Sequence, residues 1–209
     1  MGALELWILR VADVDPEQLE LSILDAEERC KAERLQSADR SAYLAAHILL
    51  RELLGGRLGV PPQEIAYLRE PCLHCGAPHG RPALARPSRS THFSLSRSGG
   101  MVMAGIASVP VGVDIEALPS SATVAEVTGL LHPAERTEIN SAAPGPRTET
   151  FSRIWTRKEA YLKAIGLGVT HDLSADYLGT QGRAAAPAGW TVATVPVPAG
   201  YGAAVAVAR

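Results

Sequence analysis

From Phe151 to Gly168 the chain reads FSRIWTRKEAYLKAIGLG, and at 3.6 residues per turn Phe151, Ile154, Trp155, Leu162 and Ile165 share one face. That spacing predicts a helix docked on a core and stopped by Gly166 and Gly168. Lys158 projects from the middle of the apolar face, where a lone ammonium loses its hydration, so it calls for a negative partner or a reach past the core. Glu159 and Lys163, four apart, lie on the flank where the buried face meets its neighbours, the place for a cleft. The other periodicity is two. In VGVDIE, Val111, Val113 and Ile115 point one way and Gly112, Asp114 and Glu116 the other, which predicts a strand.

Weaker patterns fill the rest. Leu4 to Val14 alternates around Leu6, Trp7 and Ile8 as an opening strand that Pro16 ends. Asp25 caps a helix over AEERCKAERLQ, and Asp39 caps a second, RSAYLAAHILLRELL, closed by Gly55 and Gly56. In that second helix Leu44, Ile48, Leu50, Arg51, Leu53 and Leu54 form a broad core-facing stripe. THFSLSRSGGMVMAGIA reads as strand, turn and strand, bending at Gly99 and Gly100. Pro119 to Ala122 breaks the VGVDIE strand, Val124 to Ile139 is helical with a restart at Pro133, and Ser141 to Arg147 is a Pro/Gly loop. Leu173 to Gly179, Trp190 to Val197 and Tyr201 to Val207 read as strands, with a turn in the AAAPAG run from Ala184. The class is α+β, and Ser108 to Pro110 marks a joint between halves at 1–108 and 109–209.

With 209 residues, 46% hydrophobic content and a net charge of −2, the chain can bury one sizeable domain or two small ones, and nothing in the charge calls for nucleic acid. No apolar run approaches the roughly 20 residues of a membrane span, and Glu5 comes where a signal peptide wants a basic start, so the expected compartment is the cytoplasm. Three cysteines make no disulfide framework. Cys72, His74, Cys75 and His79 offer half of a tetrahedral zinc site without a second Cys-x-x-Cys, so structural zinc and a plain turn both stay open.

Chemistry concentrates in the two periodic stretches. Asp114 and Glu116 repel one another on one strand face unless something positive lies between them, and such hard oxygens suit Mg²⁺. Gly112 beside them leaves room for a ligand. The Ser/Gly-rich bend, with the Ser96 hydroxyl and the Arg97 guanidinium, would seat a diphosphate or serve simply as a hairpin turn. Arg29, Lys31 and Arg34 are balanced by Glu27, Glu28 and Glu33, as on a solvated face.

GVDIE, followed about forty residues later by W-x-x-KEA-x-x-K (Trp155 to Lys163), resembles the signature of the 4′-phosphopantetheinyl transferases, of the long, surfactin-synthetase-activating type. The resemblance implies two pseudo-symmetric α/β halves with the active site at their interface, in a monomer. It implies transfer of 4′-phosphopantetheine from coenzyme A to a serine of an acyl or peptidyl carrier protein, releasing adenosine 3′,5′-bisphosphate. Asp114, Glu116 and Glu159 would hold Mg²⁺, Glu159 would be the general base, and Lys158 and Lys163 would neutralise growing charge, with Lys163 a candidate proton donor. Lys31 and Arg34 match the family's 3′-phosphate ligands. Ala42 stands where relatives carry an arginine, so Arg40 is the candidate substitute. Gly80-Arg81-Pro82 resembles a Gly-Lys/Arg-Pro element that approaches the nucleotide, and Ser96-Arg97-Ser98-Gly99 matches a Ser-His-Ser-Gly motif with arginine for histidine. Arginine binds phosphate but exchanges no proton at neutral pH. For Glu135 the resemblance suggests a place near the metal, against surface display as the ordinary reading. A coenzyme A-binding regulatory module and a Mg²⁺-dependent nucleotide hydrolase are the rival classes.

Overall fold

The computed structural model describes residues 4–71, 76–78, 80–85, 91–167, 172–180 and 186–209. The opening strand β1 is Glu5–Arg10, shorter than its pattern, because three single turns of 3-10 helix follow up to Ile23. Helix α1 spans Ala26–Glu33. Asp25 caps it as expected, and its Oδ1 accepts from the Glu28 amide while Glu28 returns the bond, a full capping box. Helix α2 runs Ser37–Leu58, longer at both ends than Asp39 and Gly55-Gly56 suggested, and stops at Gly59 with φ +68°. Gly55 is inside the helix for a packing reason: a Cβ there would meet the Val60 carbonyl oxygen at 2.8 Å.

Strands β2 (Tyr67–Arg69) and β3 (Pro82–Leu84) make a small hairpin. Strands β4 (His92–Ser98) and β5 (Met101–Ala107) turn at Gly99-Gly100 as expected, and β5 also pairs with β1, giving the order β1-β5-β4. VGVDIE lies in β6 (Val111–Ala117). The helices α3 (Ser121–Thr128), α4 (Pro133–Ser141) and α5 (Pro144–Ile165) follow, then β7 (Trp190–Thr194) and β8 (Tyr201–Ala208) in the order β6-β8-β7. Both three-stranded sheets are antiparallel and place their last strand in the centre.

The loop expected over Ser141 to Arg147 is mostly helix, because Pro144 sits at the start of α5, where a missing N–H costs nothing. Leu173 to Gly179 is not a strand: it has no ladder, and its backbone groups bond to helical side chains. The turn at Ala184 and the stop at Gly168 fall partly or wholly outside the described residues, as do Cys72, His74, Cys75 and His79. Among the described residues no helix is long and apolar enough to cross a membrane.

Helix α5 lies across β6 and β8. Its Ala160, Leu162 and Ala164 pack with Ala204 and Ala206. A Cβ at Gly112 would stand 2.0 Å from the Ala160 carbonyl oxygen and 2.5 Å from the Ala164 nitrogen. The space expected for a ligand beside Gly112 is therefore filled by helix backbone, and that close contact fixes the height of α5 over β6. Strand β4 lies along the other side of β6. There the Val113 and Ala117 amides donate to the Ser94 and Ser98 hydroxyls at 3.0 and 3.2 Å.

Candidate active site

Asp114 is 1% exposed, at the junction of β4, β6 and α5. Its Oδ1 accepts from Lys163 Nζ at 2.6 Å and from Ser96 Oγ at 2.9 Å, and Lys163 Nζ also donates to Ser96 Oγ at 2.9 Å. Its Oδ2 is buried with no hydrogen-bond partner. An orphaned carboxylate oxygen in a protein interior is costly, and its natural complement is a cation or a donor.

Two further carboxylates feel the same field. Burial pushes the Glu116 carboxyl up, the Ser98 hydroxyl opposes this, the charge of Asp114 adds to it and Lys163 subtracts. Burial also raises Glu159, Asp114 and Glu116 raise it further, and Lys163 holds it back. Thus Asp114, Glu116, Glu159 and Lys163 form one electrostatic group built from β6 and α5.

The group is not a ready ligand cage. Among the described residues no three carboxylate, imidazole or thiolate side chains stand together as metal ligands. The positive charge that meets Asp114 in this structure is the Lys163 ammonium, which satisfies one oxygen, while Glu116 and Glu159 add like charge around it. The donors nevertheless fit a hard divalent ion chemically, being all carboxylate oxygens with one free buried lone-pair donor at Asp114 Oδ2.

Lys158 does not join this group. It lies five positions before Lys163, about 140° around the helix. Its Nζ pairs with Glu135 Oε2 at 3.1 Å and donates to the Asp176 carbonyl at 2.7 Å. The negative partner its place in the apolar face demanded is thus Glu135, which is 0% exposed rather than displayed on the surface.

A cavity of about 720 Å³ opens beside Lys163 and extends under the β2–β3 hairpin to α1 and α2. Leu50, Phe93, Leu95 and Leu162 supply apolar wall, while Lys31, Arg81, Pro82 and Lys163 bring the expected basic element to it. Lys31 Nζ and the Arg97 guanidinium both sit over the Tyr43 ring, 5.5 and 5.6 Å from its centroid, and His47 stacks on that ring at 4.0 Å. Burial pushes the Tyr43 hydroxyl up to about 12, with Glu28 and Asp25 adding to the shift. Arg81 is partly committed: it pairs with both Glu70 oxygens at 2.6 and 3.2 Å and donates to the Ala164 carbonyl at 2.8 Å. Arg34 and Arg40 are exposed and do not line the cavity, so the structure does not gather them with Lys31.

Three contributors escaped the sequence reading. Glu28, His47 and Arg51 form a largely buried network in which His47 Nδ1 meets Glu28 Oε1 at 2.8 Å and Arg51 Nε donates to Glu28 Oε2 at 2.7 Å. The signal was present in Arg51, a charge inside an apolar stripe that needed a buried partner as much as Lys158 did.

Residues 110–186, which contain Asp114, Glu116, Glu135, Glu159 and Lys163, match the family model of the 4′-phosphopantetheinyl transferase superfamily. The chain is 34% identical over 187 residues to a phosphopantetheinyl transferase of Thraustochytrium, covering 80% of this chain and 62% of that protein. It is 30% identical over 151 residues to the 4′-phosphopantetheinyl transferase psf-1 of Bacillus pumilus, covering 71% and 60%. It is 26% identical over 182 residues to the human L-aminoadipate-semialdehyde dehydrogenase-phosphopantetheinyl transferase, covering 80% and 53%. The chain thus spans about three fifths of the length of the first two relatives.

Proposed function

Because the chain belongs to the 4′-phosphopantetheinyl transferase superfamily, we propose that it moves 4′-phosphopantetheine from coenzyme A onto a serine hydroxyl of an acyl or peptidyl carrier protein. In that reaction the serine oxygen forms a bond to the pantetheine-bearing phosphorus, the diphosphate bridge breaks, and adenosine 3′,5′-bisphosphate leaves. The observation that carries the reading is the Lys163–Asp114–Ser96 triangle at the edge of a cavity with basic residues and an aromatic platform along its wall.

Asp114, Glu116 and Glu159 would hold Mg²⁺, a Lewis acid that draws charge from a diphosphate. Lys163 places an ammonium beside the reacting diphosphate and offsets charge on its oxygens. Glu159, its carboxyl raised by burial and by its acidic neighbours, is tuned toward accepting the serine proton. Lys31 and Arg97, gathered on Tyr43, favour an anionic nucleotide at that end, and Arg81 and Pro82 line the same cavity as Lys31 and Tyr43. Phosphoryl transfer of this kind depends mainly on placement and electrostatics.

The same reading makes the chain a long-type, monomeric member, a holo-[acyl-carrier-protein] synthase in activity, with halves 1–108 and 109–209. The shared strand order of the two sheets, last strand central, supports a pseudo-repeat with Asp114 at its seam. Incubation with apo carrier, coenzyme A and Mg²⁺, followed by mass spectrometry of the carrier, tests it. A heavier carrier supports transfer. Free bisphosphate with an unchanged carrier would make the protein a hydrolase, and neither product would make it a coenzyme A-binding module.

A further inference from the structure

Residues 172–180 have no regular secondary structure, yet Leu178 is 0% exposed and packs with Tyr161 and Leu162 of α5. Charged side chains do for this segment what a strand neighbour would do. The Leu178 amide donates to Glu135 Oε1 at 2.8 Å, and its carbonyl accepts from Arg157 Nε at 2.7 Å. The Thr180 amide and hydroxyl donate to Glu138 Oε2 at 3.0 and 3.1 Å, and the Tyr177 hydroxyl donates to Glu138 Oε1. Lys158 closes the network, its ammonium 2.7 Å from the Asp176 carbonyl and 3.1 Å from Glu135 Oε2. The same Glu135 oxygen accepts from the His132 amide at 3.1 Å, so one carboxylate holds the start of α4, the middle of α5 and the segment together.

Lys158 and Glu135 side chains are 2% and 0% exposed, which leaves their charges no outlet to a substrate. Lys158 immediately precedes Glu159 and shares a rigid helix with Lys163. Any roll of α5 that the Lys158–Glu135 pair prevents would swing Glu159 and Lys163 by the same angle, and a shift of roughly 1 Å is enough to spoil an aligned catalytic contact. The Lys163–Asp114 contact, at 2.6 Å, has no slack.

We propose that Lys158 is a positioning residue: paired with Glu135 and anchored on residues 172–180, it sets the rotation of α5 and so aims Glu159 and Lys163 at Asp114. It does not touch coenzyme A. The kinetic consequence rests on the transferase reading, whereas the pairing itself does not.

Three variants test this: Lys158→Met, Glu135→Gln, and the double Lys158→Met/Glu135→Gln. Lys158→Met strands a buried carboxylate and Glu135→Gln strands a buried ammonium, whereas the double variant leaves no unpaired charge. Each single variant is expected to lower kcat by roughly tenfold or more with KM for coenzyme A within about twofold, a positioning signature. The double variant should recover kcat to within about threefold of the parent, and its loss of melting temperature should be smaller than the sum of the two single losses. If Lys158 instead acted on the diphosphate, Glu135→Gln would leave kcat unchanged or raise it, and the double would be as slow as Lys158→Met. Either result overturns the proposal. Should the double variant not fold, the direction of kcat in Glu135→Gln decides. Should the parent protein transfer nothing, the function reading fails by itself, and melting shifts that simply add would separately refute the pairing.

Discussion

Replacing Arg51 with methionine withdraws one guanidinium from the interior and takes a donor from each of four acceptors. Arg51 is 0% exposed, with Nε on Glu28 Oε2 at 2.7 Å and Nη2 on Asp25 Oδ2 at 2.8 Å. Its Nη1 donates to the Pro62 and Ile65 carbonyls at 3.1 and 2.8 Å. Methionine fills much of the volume and donates nothing, so Glu28 keeps only His47 and the Asp25 amide. Breaking a buried ionic cluster from one side costs roughly 3–5 kcal/mol, and the lower part of that range applies because the Asp25 side chain is 46% exposed. At about 2–4 °C per kcal/mol for a chain of this size, the melting temperature should fall by roughly 6–16 °C. Thermal melts followed by circular dichroism at pH 7 measure it. The pH dependence supplies a second arm. Burial raises the Glu28 carboxyl, but His47, the Asp25 amide and Arg51 together outweigh it and hold it below the usual range. A depressed carboxyl gives stability that is present above its unfolded value and lost as pH falls through the folded one. The gap between parent and variant should therefore be widest near neutrality and narrow on acidification. A loss under about 3 °C at pH 7, or a gap that widens in acid, would mean that Arg51 does not hold this cluster together.

The remaining expectations concern the site. Asp114→Ala should abolish carrier modification and weaken Mn²⁺ binding, read by electron paramagnetic resonance, while circular dichroism stays unchanged; near-normal transfer would remove Asp114 from the metal site. Glu159→Gln should likewise abolish transfer yet raise the melting temperature at pH 7 in chelator, because burial, Asp114 and Glu116 make its charge unfavourable. A raised carboxyl costs stability above its folded value, so this gain should vanish as pH falls through that value, and a gain that persists in acid would contradict the cause assigned. Arg97→His should add an imidazole inflection, at about pH 6–7, to a rate profile that lacks one from this position. A profile identical in both proteins would show that no proton passes there.

Much of the region around β6 and α5 was legible because its two periods are unambiguous. Phe151, Ile154 and Leu162 lie buried along α5 as their spacing required, and Val113 and Ile115 point into the core opposite the acidic face of β6. The need of Lys158 for a negative partner was legible too. Which partner was not, since Glu135 comes from the preceding helix, α4, and only tertiary packing brings it to Lys158. Residues 173–179 were misread because their apolar content suggested a ladder, whereas Glu135, Glu138, Arg157 and Lys158 saturate the backbone from outside. Gly55-Gly56 looked like a helix stop, but the loop at Val60 needs a residue without a side chain there, and the helix continues. Arg34 and Arg40 rested on the family resemblance and on charge, and neither says which way an exposed side chain faces.

The hydroxyl row on β4 has a mechanical consequence. Along the line where β4 meets β6, Ser94 and Ser98 accept amide protons of β6 at 3.0 and 3.2 Å, and Ser96 binds Asp114 at 2.9 Å. Short rotatable side chains thus stand in for peptide groups along this border. Asp114, the buried acid of the candidate site, is itself one of the stitches. A pull on that border would therefore reach the Lys163–Asp114 contact directly, and the fastening would also be the lever.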